Sequence, residues 1–300
     1  WLYVRKTGAN TEWVARQLAI HAAVPVRDLS YAGMKDRNAI TEQWYSIHLP
    51  GKSDPDWSTV DIEGVEILHT ARHTRKLKRG ALKGNRFDIG ITSLTGDNAE
   101  IENRLIAIKQ GGVPNYFGVQ RFGRDGQNLV QAEQLFKGKL NKIPRHKRGL
   151  YLSTARSALF NLILAGRVAD ESWSRLMLGD VLQLDGRSAC FVAEDKDSAL
   201  PARIESMDVH LTGPMWGRGE LMTQNAAREY EITNLEADEC FRKGLEQAGL
   251  KQERRSLRIQ ANQLDWQWHE DGSLRVQFSL PPGAYATSVL RELCQSESAS

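Results

Sequence analysis

Apolar and polar positions alternate along several short stretches of the chain and recur at helical spacing along others. Thr41, Gln43, Tyr45, Ile47 and Leu49 alternate with Trp44, Ser46 and His48, which predicts a strand. Phe87, Ile89 and Ile91 alternate with Asp88, Gly90 and Thr92, which predicts another, and Val65–Leu68 is a shorter candidate. Near the C-terminus, Leu264, Trp266 and Trp268 alternate toward a turn at Asp271-Gly272, and Leu274, Val276, Phe278 and Leu280 alternate back. Pro281-Pro282-Gly283 ends that hairpin. Val181, Leu182 and Leu184 lead into Asp185-Gly186, a type I′ turn signal, and Cys190-Phe191-Val192 returns.

Helical spacing marks the rest. Asn10 or Thr11 caps a helix to about Ala22, with Trp13, Val14 and Leu18 on its buried side and Val24-Pro25 stopping it. Asp97 caps another, with Glu100 as a capping-box partner and Ile101, Leu105 and Ile108 as the stripe. Further helices are expected over about Leu129–Lys137, from a Ser153 cap through Leu159, Leu162 and Ile163, twice between Gln224 and Ala248, and from Thr287 or Ser288 through Leu293. Tyr31–Asn38 and Asn115–Asp125 have no period and read as loops.

The C-terminal hairpin is too small to bury its apolar face alone, so it is expected to complete the sheet begun by the N-terminal strands. Gly111-Gly112 and Pro114 mark a change of organisation. The predicted layout is therefore α+β: a discontinuous domain, 1–110 plus 260–300, with a mixed, largely antiparallel sheet and flanking helices, interrupted by an inserted α/β domain at 111–259. The chain starts at Trp1 inside what reads as a strand, so residues ahead of it are expected to exist.

Composition narrows the function classes. The 300 residues are long enough for two domains of ordinary size. Apolar runs such as Leu159–Ala165 stop far short of the roughly 20 residues of a membrane span. Cys190, Cys240 and Cys294 are isolated, without a zinc spacing or a disulfide framework, which fits a reducing cytoplasm. His69 and His73 lack further ligands and have basic neighbours, so no metal is expected. Gly51-Lys52-Ser53 echoes the end of a phosphate-binding loop, but Ser46 stands where its first glycine belongs.

The net charge of +3 is small, yet it is unevenly spread. Arg72, Arg75, Lys76, Lys78, Arg79, Lys83 and Arg86 lie together with no acid among them, as do Lys137, Lys139, Lys142, Arg145, Lys147 and Arg148. Segregation of this kind suits a polyanion, and solvated loops account for it equally well. Tyr116, Phe117 and Phe122 around Gln120-Arg121, and Phe87 after Arg86, are residues on which unstacked RNA bases can be held. Alternation also makes Phe87 the first core residue of its strand. Asp36 sits between Lys35 and Arg37, cations that favour an ionised carboxylate able to attack or to take a proton. On spacing alone an ordinary loop aspartate is the simpler account.

Five ordered segments carry a resemblance that decides among these readings. They are Tyr31-Ala-Gly-Met-Lys-Asp-Arg-Asn-Ala-Ile-Thr-Glu-Gln-Trp44, Lys76-Leu-Lys-Arg-Gly-Ala-Leu-Lys-Gly-Asn-Arg-Phe87 and Val113-Pro-Asn-Tyr-Phe-Gly-Val-Gln-Arg-Phe-Gly123. Ala155-Arg-Ser-Ala-Leu-Phe-Asn161 and Pro282-Gly-Ala-Tyr-Ala-Thr-Ser-Val-Leu-Arg-Glu-Leu293 follow. In this order, over nearly the whole chain, they resemble the TruD family of tRNA pseudouridine synthases. The resemblance implies isomerisation of a uridine in the D arm of tRNA, typically uridine 13, with base flipping and without cofactor or metal. Asp36 then falls on the catalytic aspartate, Asn85 and Phe87 on nucleotide contacts, and Tyr285 on a third, usually phenylalanine. Lys76, Lys78, Arg79 and Lys83 become candidates for RNA phosphates. Asn85, Phe87 and Tyr285 are expected to converge on Asp36, in a cytoplasmic enzyme acting as a monomer. A non-catalytic tRNA-binding protein or chaperone, and an N-glycosylase with an aspartate nucleophile, are the alternatives.

Overall fold

The computed structural model describes residues 1–78, 80–140, 142–194 and 197–294. The chain divides into two compact units, 1–83 and 84–300.

The first unit contains β1 (Leu2–Thr7), α1 (Thr11–His21), β2 (Leu29–Tyr31), β3 (Ile40–Ile47) and β4 (Val65–Thr70). Its strands form one antiparallel sheet in the order β2-β3-β1-β4. Alternation along β1 turns Leu2 and Val4 inward, where they meet Val14, Ala15, Leu18 and Ala19 of α1 together with Leu29, Tyr31 and Tyr45. Val14 and Leu18 are buried as expected, but Trp13 is 40% exposed because it stands one position off the stripe. Asn10 holds the cap position of α1 without a side-chain bond.

The second unit begins with β5 (Asn85–Ile91), α2 (Asn98–Gly111), β6 (Val113–Pro114), α3 (Gln127–Phe136) and α4 (Arg145–Ala169). It continues through β7 (Val181–Leu184), β8 (Cys190–Val192), α5 (Leu200–Glu205), β9 (Val209–Met215), α6 (Asn225–Asn234) and α7 (Glu239–Gln247). It closes with β10 (Glu253–Ser256), β11 (Arg258–Ile259), β12 (Asn262–Trp268), β13 (Leu274–Leu280) and α8 (Ala286–Leu293).

The C-terminal hairpin does not extend the sheet of β1 to β4 as expected; it pairs with β5 alone, giving a separate three-stranded sheet β12-β13-β5. Phe278 stands opposite Phe87 and Leu280 opposite Asn85. Val276, Phe278 and Leu280 pack with Ile101, Leu105 and Ile108 of α2 and with Val289 and Leu293 of α8. A second antiparallel sheet, β10-β9-β7-β8, packs Leu182 and Leu211 against Phe160 and Leu164 of α4. Every described strand pair is antiparallel, so the architecture is α+β with antiparallel sheets.

Local signals differ from expectation in a few places. Asp185-Gly186 does not make a type I′ turn: Leu184 bonds to Ala189 across a longer loop, and of the pair only Gly186 has positive φ, at 65°. The helix expected to start at Ser153 starts at Arg145 after Pro144, because a polar first stretch carries no apolar stripe to reveal it. Leu162 on that helix is exposed. Glu100 pairs forward with Arg104 on α2, while Asp97 caps the helix as expected by accepting from the Ala99 N–H. The last helix starts at Ala286, and the Ser288 hydroxyl donates instead to the Tyr116 carbonyl.

Candidate active site

The loop 32–39 joins β2 to β3, and three buried side chains hold it. Gly33 has φ +80°, a conformation costly for other residues, and since an added Cβ would make only an ordinary contact with Leu82 at 3.8 Å, that angle is the reason for glycine. Its carbonyl accepts from Nε2 of Gln43 on β3 at 3.2 Å. The Lys35 N–H donates to Oγ1 of Thr11, the first residue of α1, at 3.0 Å, and the Thr11 hydroxyl lies 3.3 Å from Oε1 of Gln43. Nζ of Lys6, on the inner face of β1, donates to the carbonyl oxygen of Asp36 at 2.6 Å. Thr11, Gln43 and Lys6 are all buried.

These bonds use the loop's backbone and leave the Asp36 side chain exposed. Burial lowers the pKa of the neighbouring Lys35 ammonium, and the charge of Asp36 opposes that shift. The arrangement is a rigid turn that offers a carboxylate to a ligand with little ordering entropy left to lose. Sequence reasoning missed Lys6, Thr11 and Gln43 as supports. The visible signal was a lysine at the third inward position of β1, where Leu2 and Val4 predict an apolar residue.

In the basic segment, Ser30 Oγ donates to the Leu77 carbonyl at 2.7 Å and the Leu77 N–H donates to Ser46 Oγ at 3.0 Å. Leu77 is thereby buried while Lys76, Lys78 and Lys83 remain exposed. Lys76 donates to the Arg27 carbonyl at 2.9 Å. Lys78 and Lys83 have no acidic partner among the described residues. Arg79 lies outside the described residues. Arg72, by contrast, is paired with Asp54 at 3.0 Å.

The other three predicted site residues belong to the second unit. Asn85 and Phe87 sit on one face of β5, and the half-buried Phe87 ring stacks on Phe278 with centroids 5.4 Å apart. Tyr285 occupies the cap position of α8. Its hydroxyl accepts from Nη2 of Arg121 at 2.7 Å, and its ring meets Phe117 edge-on at 6.2 Å.

Arg121 also donates to Ser153 Oγ at 3.1 Å. Arg255 lies 4.1 Å over the Phe117 ring and donates to Oδ1 of Asn115 and the Gly283 carbonyl. Burial pulls the Arg255 guanidinium down to about 10. The segment carrying Tyr285 is thus tied to the loop 115–122 by arginines whose roles the sequence did not reveal.

That loop is not an open stacking platform. Phe117 is 7% exposed, enclosed by Phe160, Tyr285 and Arg255, and Tyr116 and Phe122 pack against the same core. Expected on the same geometry, Tyr285→Phe keeps the ring and turnover within about threefold while lowering unfolding stability by about 1–2 kcal/mol, since one charge-assisted bond is lost. Paired denaturation curves and single-turnover assays test this, and a large loss of turnover would move the hydroxyl into the chemistry.

Among the described residues no group of three His, Cys, Asp or Glu side chains could hold a metal ion. No helix among them is long and apolar enough to cross a membrane.

Comparison with known proteins adds the context. The family model described as tRNA pseudouridine synthase D (TruD) matches residues 1–126 and 126–293. The tRNA pseudouridine synthase D of Hydrogenovibrio crunogenus is 47% identical over 293 residues, covering 98% of this chain and 84% of that protein. The protein of the same name from Nitrosococcus oceani is 48% identical over 301 residues, covering 100% of this chain and 84% of that protein. The crystal structure of a putative tRNA pseudouridine synthase D from Methanosarcina mazei superposes with a TM-score of 0.73 at 20% identity, covering 97% of this chain and 86% of that one. That likeness shows the fold. The sequence matches define an isomerase of the tRNA pseudouridine synthase class. Within that class, the chain belongs to the TruD family.

Proposed function

We propose that the chain converts uridine 13 in the D arm of tRNA to pseudouridine, with Asp36 as the catalytic carboxylate. The observation that carries this reading is the backbone-anchored turn that leaves the Asp36 side chain exposed. The reaction breaks the C1′–N1 glycosidic bond, turns the uracil and rejoins it through C5, so no atom is gained or lost. The uridine first leaves the stack, at a cost of a few kcal/mol. Asn85 orients the flipped nucleotide by hydrogen bonding, and Phe87 and Tyr285 wall the base. Asp36 then either attacks the nucleoside or removes the 2′ proton to give a glycal.

Lys76, Lys78, Arg79 and Lys83 contact phosphate in this scheme. Lys78 and Lys83 are the better placed, because no carboxylate among the described residues competes for them. In the same reading, 1–110 plus 260–300 form the catalytic domain, 111–259 is an insertion, and the enzyme acts as a monomer.

The test is to incubate the protein with an unmodified tRNA transcript and map the product by pseudouridine-specific derivatisation and primer extension. A single stop reporting position 13 is expected. A stop elsewhere would refute the position, and an abasic site in its place would convict a glycosylase.

A further inference from the structure

β1 carries a lysine where its pattern calls for a hydrophobe. Lys6 is 1% exposed, among the largest fully buried side chains of the protein, and shares the inner face of β1 with Leu2 and Val4. β1 is flanked on both sides, with Lys6 opposite Thr41 on β3 and Val65 on β4, so the backbone beneath the side chain is fixed. Taking an ammonium out of water is costly unless it is paired.

The hydrogen bond that Lys6 makes is to the Asp36 carbonyl oxygen at 2.6 Å. An ammonium carries three donors, and no second acceptor is recorded for it among the described residues. A neutral donor would satisfy one carbonyl at a smaller desolvation cost. Burial lowers the pKa of the Lys6 ammonium, the negative charge of Asp36 opposes that shift, and the Lys35 charge adds to it.

We propose that Lys6 is a positioning residue for the isomerisation: its buried ammonium holds the Asp36 backbone and sets a positive charge within electrostatic reach of the Asp36 carboxylate. This rests on the reading of Asp36 as the catalytic carboxylate. The bond fixes the turn that presents the carboxylate, and burial keeps the ammonium unscreened by salt. Lys6 from β1 and Lys35 on the loop itself are the cations whose charges interact with that of Asp36, and Arg37 follows it in the chain. The groups that α1 and β3 contribute to the loop, Thr11 and Gln43, are neutral.

Two variants of the full chain test the proposal, read by single-turnover rates at saturating unmodified tRNA, by tRNA affinity and by unfolding stability. Lys6→Met removes charge and donor, whereas Lys6→Gln keeps a donor for the carbonyl and removes only the charge. Lys6→Gln is expected to slow the reaction by about 10-fold and Lys6→Met by about 30-fold or more, with tRNA affinity within about threefold. In both, the loss is expected in the single-turnover rate and not in tRNA affinity, because the ammonium acts on the presentation of the carboxylate and not on RNA binding.

A folded Lys6→Gln protein with wild-type rate overturns the proposal. So does a slower rate accompanied by lost tRNA affinity, and so does failure of both variants to fold, since each assigns Lys6 to the scaffold alone. Asp36→Asn, assayed beside them, separates the two ideas. Activity in Asp36→Asn sinks the reading of Asp36 itself. An inactive Asp36→Asn beside an unaffected Lys6→Gln sinks only the role of Lys6.

Discussion

Asp36→Asn reduces pseudouridine formation to below about one-thousandth of the wild-type rate, while tRNA affinity and unfolding stability stay close to wild type. An amide of the same size neither attacks a sugar carbon nor takes a proton, so both chemical routes fail together. The bonds that shape the loop use the carbonyls of Gly33 and Asp36 and the N–H of Lys35, not the carboxylate. The substitution therefore removes chemistry and leaves the scaffold. Asp36→Glu is also expected to be impaired, by about 100-fold, because one extra methylene displaces the reacting oxygen by about 1 Å. Single-turnover kinetics at saturating tRNA, with a binding isotherm and a melting curve for each variant, give the three readings needed. Near-normal turnover in Asp36→Asn would remove Asp36 from the chemistry, and a collapse of affinity or stability would make it a structural residue.

The elements that were legible in the chain are those whose two faces differ. β3, β5, β12 and β13 alternate, and α1 and α2 carry apolar stripes, so each declares which side it buries. β9 was harder to read: Val209 and Leu211 alternate with His210 and Thr212 only until Gly213-Pro214 breaks the pattern, and the polar positions are buried with the apolar ones. β10, Glu-Arg-Arg-Ser, reads as a surface loop. In the fold, Arg254 is consumed by Glu231 and Thr212, and Arg255 by Asn115, Gly283 and the Phe117 ring. Pairing partners 23 to 140 residues away in sequence turn such a stretch into the edge strand of a sheet, and local pattern cannot report them.

The candidate site divides along the same line. Asp36, Asn85, Phe87 and Tyr285 were recognisable because they stand inside ordered motif segments. Their supports, Lys6, Thr11, Gln43 and Arg121, were not recognised as such. Each is a polar residue whose role is a hydrogen bond to a segment distant in sequence, and only tertiary structure brings the two ends of that bond together.

Buried polar pairing also sets the largest expected effect on stability. Asp180→Ala should cost about 3–5 kcal/mol, because it leaves the Arg167 guanidinium enclosed without its counter-charge. Both side chains are 3% exposed. Arg167 on α4 donates to Oδ1 and Oδ2 of Asp180 at 3.2 and 2.9 Å, to the Ser172 carbonyl at 3.1 Å and to the Arg175 carbonyl at 3.3 Å. Asp180 also accepts from the Met177 N–H at 2.7 Å, so it closes the turn as well as balancing the charge. Nor can the backbone shift to compensate. At the preceding Gly179, φ is +84° and an added Cβ would fall 1.9 Å from the Gln224 carbonyl oxygen. Replacing both partners, as Arg167→Met with Asp180→Leu, should cost less than Asp180→Ala alone, since no unpaired charge then remains. Against a total stability of about 5–15 kcal/mol, the single change brings the protein near its folding threshold. Because neither residue belongs to the proposed site, the variant held well below its melting temperature should modify tRNA at the wild-type rate. Urea denaturation at neutral pH measures the loss. A change under about 1 kcal/mol for Asp180→Ala, or a double variant weaker than the single one, would mean that the guanidinium finds water or another acceptor when Asp180 is gone.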